Sequence, residues 1–341
     1  MKAAAALGIA CLALLVAFCE PAAARVRIHY IAADEVMWNY APLRMNPIAG
    51  TPLPPLLPTQ LGWTFQKAIY REYTDATFAH LVPVAPSERY HGMTGPTIHA
   101  EVGDTVVIVF RNRTRFPFDI APSGVRSTPN PSAVLPGATR TFRWPISDAD
   151  GPGVNDGSSL LYVYESDVNQ RTSESAGLIG PLIVTRRGQA RADGSPADVD
   201  REIVALFSVQ DEFQNPFLSL NLASAAINPR HFSGREKTFE NDNYIHTING
   251  FAWGNMPTPT MRVGERVRWY LLSTMTPADG HAPTWSGQTV LSQGNRSDVV
   301  ALVTPHAVAD MVPDNPGVWL LVCTLNIHLL NGMEARYKVV K

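Results

Sequence analysis

Short runs of apolar, β-branched and aromatic residues alternate with loops rich in glycine, proline, asparagine and aspartate along most of the chain. Runs of this length, bounded by turn-forming residues, are typical of β-strands. The 28 prolines agree with this, because proline is tolerated in loops and edge strands but not inside long helices. The pattern predicts an all-β protein with few and short helices. Its clearest strands fall at residues 105–110, 160–164, 203–208, 267–272 and 318–322.

The pattern also repeats once along the chain. Three pairs of segments match in the same order, at a spacing of about 160 residues: AEVGDTVVIVF from Ala100 with MRVGERVRWYL from Met261, APSG from Ala121 with TWSG from Thr284, and YESD from Tyr164 with LVCT from Leu321. Such recurrence indicates a duplicated domain. We predict domain 1 at residues 25–187, a polar linker rich in Gly, Ala and Pro at residues 188–200, and domain 2 at residues 201–341.

The first 24 residues differ in composition from the rest. Lys2 precedes an apolar run at residues 3–18, and the small residues PAAA end at Ala24. This combination predicts a signal peptide with cleavage after Ala24. The run is shorter than the roughly 20 residues that a membrane-spanning helix needs. We therefore expect an exported protein, periplasmic or secreted, with no membrane span after cleavage.

Charge and cysteine content narrow the function further. The chain carries 28 basic and 30 acidic residues and has no basic run, so we expect no nucleic-acid partner. Cleavage of the leader would remove Cys11 and Cys19 and leave Cys323 as the only thiol. A lone thiol in an oxidising compartment is either buried as a structural residue or held by a metal.

Four side chains of the second repeat are of metal-binding type: His281, Cys323, His328 and Met333. The corresponding positions in the first repeat hold Phe118, Ser166 and Leu178, and the equivalent of His328 is not assigned. Only the second repeat is therefore expected to bind a soft metal ion.

Two imidazoles, a thiolate and a thioether form the donor set of a type 1, or blue, copper site. Zinc also binds histidine and cysteine, but it favours four strong tetrahedral ligands. The strand at residues 318–322 would place Cys323 at its end, and a loop at residues 324–327 would return His328. His281 would arrive from a separate strand. We expect one copper ion per chain at this site, where it would also stabilise the domain.

Motifs along nearly the whole mature chain resemble the multicopper oxidase family, and most closely its ceruloplasmin, hephaestin and coagulation-factor A-domain branch. They include GPTIHAEVGDTVVIVFRN, SAGLIGPLIV, DEFQNP, HTINGFAWGNMP and GMEARYKV. The resemblance implies two Greek-key cupredoxin β-sandwich domains in an extracytoplasmic setting.

The resemblance also implies a trinuclear copper cluster, which reduces dioxygen and is held by eight histidines in four His-x-His pairs. None of the eight is present here. The positions hold Ala121 and Ser123, Glu165 and Asp167, Thr284 and Ser286, and Val322 and Thr324. We therefore expect no four-electron oxidase activity and assign no catalytic residue.

Three functional hypotheses remain open. The first is one-electron transfer through a single type 1 copper, with electrons passing the imidazole edge of His328 beside Leu329 and Leu330, as the resemblance suggests. The second is an oxidoreductase that oxidises metal ions or phenols with another acceptor. The third is a copper-binding scaffold without redox turnover. We favour the first, with an unidentified redox protein or small reductant as partner.

Three further expectations concern other residues and the assembly. Glu165 and Asp167 could bind a hard cation, but solvation or pairing with an arginine such as Arg126 is the preferred interpretation. His246, in the motif HTINGF, is expected to make a structural hydrogen bond. Two-domain members of the family often form trimers, which suggests a homo-oligomer here, such as a trimer.

Overall fold

The computed structural model describes residues 24–225, 236–274 and 280–341. Within these ranges the chain forms twenty β-strands and four short α-helices, so the predicted all-β fold is confirmed. The helices are α1 (Gln170–Ala176), α2 (Leu218–Ser224), α3 (Glu236–Asp242) and α4 (Asn326–Leu330). None of the described helices is long and apolar enough to cross a membrane. The predicted signal peptide lies outside the described residues, apart from Ala24.

Two four-stranded sheets, in the orders β4-β1-β6-β8 and β5-β10-β9-β7, form the first sandwich. Their strands are β1 (Val26–Asn39), β4 (Thr64–Tyr73), β5 (Ile98–Glu101), β6 (Thr105–Asn112), β7 (Ala121–Pro122), β8 (Thr139–Pro145), β9 (Ser159–Glu165) and β10 (Ile179–Thr185). A small ribbon in the loop after β1 pairs β2 (Met45–Asn46) with β3 (Thr51–Pro52). Strands β6 and β9 contain the predicted runs at residues 105–110 and 160–164.

The second sandwich has a six-stranded sheet, β12-β11-β14-β18-β16-β17, and a four-stranded sheet, β13-β20-β19-β15. Its strands are β11 (Arg201–Asp211), β12 (Tyr244–Ile248), β13 (Thr260–Arg262), β14 (Val267–Ser273), β15 (Pro283–Trp285), β16 (Val290–Ser292), β17 (Asn295–Ser297), β18 (His306–Met311), β19 (Gly317–Cys323) and β20 (Glu334–Val340). The three strands predicted in this half all lie within β11, β14 and β19.

The two sandwiches share one connectivity. The sheet β5-β10-β9-β7 has the same strand order as β13-β20-β19-β15, and in each the first-named pair is parallel. The other two sheets each contain one further parallel pair, β1 with β6 and β11 with β14. This agreement supports the internal duplication inferred from the matched segments. We call the two sandwiches the first copy and the second copy.

Aromatic residues fill the second copy. Trp269 packs edge-to-face on Trp285 and Tyr337, with ring centroids 5.6 and 5.9 Å apart. Such contacts add to the large apolar area that each ring buries. Cys323 and Met333 belong to the same buried cluster, so the candidate metal ligands border the core of the second copy.

The copies pack face to face through apolar strands. Leu161 and Ile183 of the first copy contact a cluster that includes Leu206 and Leu272 of the second. A buried ion pair also joins the two copies: the Nζ atom of Lys67 is 2.7 Å from Oε1 of Glu212, and both side chains are fully buried. Charges in such a position need close partners, because water cannot solvate them.

The segment between the copies is more ordered than its composition suggests. The Arg191 guanidinium donates hydrogen bonds to the carbonyl groups of Pro196, Ala197 and Val199. The hydroxyl of Thr185 donates to the carbonyl of Gly194 at 2.7 Å. These bonds satisfy backbone acceptors that a loose linker would leave to water. Residues 188–200, predicted as a polar linker, therefore fold onto themselves and onto the end of β10.

Candidate metal centre

Two separate segments bring the predicted ligands together. Strand β19 ends at Cys323, and the following turn contains α4, which carries His328 in place of the loop expected at residues 324–327. Gly332 then takes a left-handed backbone conformation, with φ 92°, that lets the chain reverse into Met333. His281 lies across the site, where its backbone makes a reciprocal pair of 2.9 Å hydrogen bonds with Leu302.

The two imidazoles converge on the thiol. The Sγ atom of Cys323 is 3.3 Å from Nδ1 of His328 and 3.9 Å from Nδ1 of His281. An ion bound to sulfur at about 2.3 Å and to nitrogen at about 2.0 Å holds these atoms at separations of this size. The three ligand atoms lie within 4.8 Å of one another. The donor set and its spacing therefore fit a single metal ion, and two imidazoles with a thiolate suit copper.

Burial shields the candidate ligands from solvent and lowers the pKa of one of the imidazoles. Cys323, His328 and Met333 are fully buried and His281 nearly so. Burial, with smaller contributions from His328 and His246, lowers the pKa of His281 to about 3. This imidazole is therefore neutral at physiological pH, which is the state that can bind a metal ion.

A backbone donor also points at the thiol. The N–H group of Ala282, the residue after His281, donates to Sγ of Cys323 at 3.3 Å. Such a bond stabilises negative charge on sulfur, because it places a positive dipole beside it. The segment that supplies one imidazole therefore also supports the thiolate form of Cys323.

The backbone of Met333 is fixed to both neighbouring ligands. Its N–H group donates to the carbonyl of His328 at 3.0 Å, and its carbonyl accepts from the N–H group of Cys323 at 3.1 Å. On its two sides, the carbonyl of Gly332 accepts from Trp253 and that of Glu334 accepts from Gly254. The residue is held at the site, and ligation by its thioether stays a prediction.

A loop of the first copy, residues 40–50, also reaches the strand that follows Met333. Asn46 donates through Nδ2 to Oε1 of Glu334 at 2.8 Å. The backbone N–H of Leu43 donates to Oδ1 of Asn255 at 2.8 Å. The first copy therefore supports the segment of the second copy that carries the candidate ligands, although it lacks such donors itself.

His246 is a third imidazole at this site that the sequence analysis did not place there. Its ring centroid is 5.1 Å from that of His328, at an interplanar angle of 45°. Burial, and secondarily the neighbouring His328, lowers the pKa of His246 to about 3. The expected structural hydrogen bond is absent at Nδ1, which is buried and has no partner among the described residues. Sequence spacing gave no signal for His246, because its approach to His328 depends on where β12 lies in the folded sheet.

His328 itself is 0% exposed, whereas Leu330, two residues later, is 68% exposed. The imidazole points inward because the short helix α4 turns its apolar residues toward solvent. The structure leaves His328 without exposed surface, and the passage of electrons along its imidazole edge beside Leu329 and Leu330 stays a prediction.

The family resemblance assigns eight positions to the ligands of the trinuclear cluster, and these positions lie on or beside equivalent strands in the two copies. Ala121 pairs with Glu165 between β7 and β9, and Thr284 pairs with Val322 between β15 and β19. The hydroxyl groups of Thr284 and Thr324 lie 3.1 Å apart. In the described part of the chain, the only close group of three histidine, cysteine or acidic side chains is His281, Cys323 and His328.

For Glu165 and Asp167 the preferred interpretation is solvation or pairing with an arginine. Among the described residues neither carboxylate forms a salt bridge, so the arginine partner is not seen there. Glu165 accepts a 3.2 Å hydrogen bond from the side chain of Gln170. Burial, followed by the charges of Glu174 and Asp167, raises the pKa of Glu165 to about 7.

Known proteins resemble both the sequence and the fold. Residues 228–341 match a family model described as multicopper oxidase. Ferroxidase HEPHL1 of Homo sapiens is 34% identical over 340 residues, which cover 92% of this chain and 29% of that protein. Ceruloplasmin of Rattus norvegicus is 34% identical over 341 residues, covering 92% of this chain and 32% of that protein.

A crystal structure described as a multicopper oxidase superposes with a TM-score of 0.59 at 16% identity, over 92% of this chain and 89% of that chain. At this identity the likeness concerns the fold, and it agrees with the cupredoxin-type sandwiches implied by the motifs. The chain spans about a third of the length of the curated relatives it matches. From the matched motifs, the relatives and the shared fold, we conclude that this chain belongs to the multicopper oxidase family.

Proposed function

We propose that this protein binds one copper ion in a type 1 site made by His281, Cys323, His328 and Met333, and that it transfers single electrons without reducing dioxygen. The observation that carries the proposal is the convergence of two Nδ1 atoms, at 3.3 and 3.9 Å, on one buried thiol. The absence of histidine from all eight positions that resemble cluster ligands supports the second part.

The chain contributes rigidity and a dry environment. Copper, when bound, would supply the one-electron change between its two oxidation states. The buried imidazoles and the two backbone hydrogen bonds of Met333 keep donor positions fixed, so little rearrangement accompanies that change. The Ala282 N–H group stabilises negative charge on the sulfur of Cys323 by donating a hydrogen bond to it. Hydrogen bonding at this sulfur tunes the reduction potential of type 1 copper sites.

The test is to load the purified protein with Cu(II). We expect an intense blue absorption band and one copper per chain by metal analysis, and Cys323→Ser should remove the band. Oxygen uptake with ascorbate as reductant should stay at the level of the Cys323→Ser control. Rapid, copper-dependent oxygen uptake would overturn the electron-transfer proposal in favour of an oxidase, and a colourless protein would overturn the type 1 site.

We also infer that the protein is exported and that it acts with a separate redox partner, a protein or a small reductant. The composition of residues 1–24 supports export. N-terminal sequencing of the protein from its native host should find Arg25 as the first residue. An N-terminus that retains the apolar run would contradict this inference. A homotrimer stays a prediction, which size measurement in solution can check.

A further inference from the structure

Three imidazoles lie in a row beside the thiol of Cys323. The ring centroids of His281 and His328 are 4.8 Å apart, and those of His328 and His246 are 5.1 Å apart. His246 lies on β12, the outermost strand of the six-stranded sheet. It is 7% exposed, whereas its neighbour His328 is 0% exposed. The row therefore leads from the thiol to an edge of the sheet.

Ordinary structural roles do not explain a histidine at this position. Nδ1 of His246 is buried without a hydrogen-bond partner among the described residues, and an unpaired polar atom of this kind destabilises the folded state. Its nitrogen atoms also lie outside the group formed by His281, Cys323 and His328, so it is not positioned as a ligand. A phenylalanine could fill the same space without that cost.

Because His328 is fully buried, it has no surface that an external electron donor could reach, and its contact with His246 offers a path outward. Electron tunnelling weakens steeply with distance, and it is more efficient through packed atoms than across a gap. His246 contacts His328 and is itself slightly exposed, so a route through it would shorten the gap to an external donor.

We propose that His246 is the relay residue through which electrons enter and leave the metal centre. In each transfer, a one-electron donor such as a ferrous complex is oxidised to the ferric state and the bound Cu(II) is reduced to Cu(I). No bond forms or breaks in the relay, and no proton moves. The inference rests on the proposed copper site, because it assigns the route to that site.

The experiment compares three variants of the copper-loaded protein by stopped-flow bleaching of the blue band with ferrocyanide. His246→Ala removes the ring, and His246→Phe keeps a ring of similar shape. Phe207→Leu is the matched control, because Phe207 is also a buried ring and its centroid lies 6.0 Å from that of His281. Absorption and electron paramagnetic resonance spectra of each variant report whether the metal geometry has changed.

We expect His246→Ala to slow reduction by roughly tenfold, equivalent to about 1.4 kcal/mol in the barrier. Its spectra should match the unsubstituted protein, and His246→Phe and Phe207→Leu should keep rates close to it. Free imidazole should restore the rate of His246→Ala without altering its spectra.

Equal rates in His246→Ala and the unsubstituted protein would overturn the relay while leaving the copper site intact. Slow reduction accompanied by altered spectra would also overturn it, because His246 would then act by holding the metal geometry. A His246→Phe variant as slow as His246→Ala would exclude a route through ring contact. No blue band in the unsubstituted protein would overturn both the site and the relay.

Discussion

The two copies place equivalent backbone around very different side chains. In the second copy, His281 and Leu302 exchange backbone hydrogen bonds, and in the first copy Phe118 and Val134 do the same. The residue that follows His281 and the residue that follows Phe118 then each donate a backbone N–H group to the side chain at the cysteine position of the same copy. Ala282 donates to Sγ of Cys323 at 3.3 Å, and Asp119 donates to Oγ of Ser166 at 3.2 Å.

The fourth equivalent position can be assigned from the same comparison. Met333 donates its N–H group to the carbonyl of His328 at 3.0 Å, and Leu178 donates to the carbonyl of Ser173 at 3.1 Å. Ser173 therefore stands where His328 stands in the second copy. The sequence does not reveal this, because Ser173 follows Ser166 by seven residues whereas His328 follows Cys323 by five.

The difference in side chains at these four positions indicates that the backbone can form this arrangement without a metal ion. Phenylalanine, leucine and two serines replace the donor side chains in the first copy, while the order of the sheet that contains β9 or β19 and the backbone hydrogen bonds compared above are retained. The donors are therefore additions to a fold that forms without them, as is general for functional sites.

The two copies pack against each other, and the largest expected effect on stability comes from breaking that contact. Lys67→Met would leave Glu212 buried without its cationic partner, so we expect a loss of about 3–5 kcal/mol in the free energy of unfolding. Urea denaturation of the metal-free protein measures it. Lys67→Met combined with Glu212→Gln should recover most of the loss. If Lys67→Met alone costs less than about 1 kcal/mol, which is the range expected of a surface ion pair, then the buried pair is not critical for stability.

The next largest effect on stability is expected when a candidate ligand of the second copy is replaced by its equivalent residue from the first copy. Cys323→Ser reproduces Ser166, so the fold should persist while copper no longer stabilises it. At a copper concentration 100 times the dissociation constant, the unsubstituted protein should gain about 2.7 kcal/mol. Thermal unfolding with and without Cu(II) measures the gain. An equal gain in Cys323→Ser would mean that copper stabilises the protein from another site.

Glu165 differs from its second-copy equivalent, Val322, in its response to pH. Its pKa is about 7 in the folded protein and about 4.3 in an unfolded chain, so the folded state binds the proton more tightly. Stability contributed by this group is present below pH 4 and is lost as the pH rises toward 7. After discounting for partial exposure, Glu165→Gln should gain about 1–2 kcal/mol over the unsubstituted protein at pH 8 and little at pH 4.

Urea denaturation at the two pH values measures this difference. Asp298→Asn, at an exposed carboxylate of the second copy, is the control and should show none. A gain in Glu165→Gln that is the same at both pH values would contradict the ionisation argument.

The smallest effect on stability is expected from Met333→Leu, which copies Leu178. The side chains are similar in volume, so the cost should stay below about 1.5 kcal/mol. The blue band should persist, because both imidazoles and the thiolate remain. The reduction potential should rise, since a weak donor to Cu(II) is removed. Voltammetry checks this, and an unchanged potential would indicate that the Met333 thioether is not a ligand.

The sequence predicted the fold because its signals are local and repeated. Strand runs such as residues 105–110 and 267–272 lie inside observed strands, and the matched segments lie at equivalent places in the two copies. The grouping of His281, Cys323 and His328 followed from the same repeat. The position of His246 could not be predicted, because it depends on the pairing of β12 with β11 across the sheet. The inward orientation of His328 depends on a single turn of helix that no propensity indicated.

The loop at residues 40–50 has an evolutionary consequence. Because Asn46 holds Glu334, next to Met333, the copy that lacks metal donors still constrains the segment that contains them. A duplicated half that has lost its chemistry is commonly thought free to diverge. Here a change at Asn46 would loosen the segment that carries the candidate ligands, so we expect substitutions in the first copy to be constrained by the second.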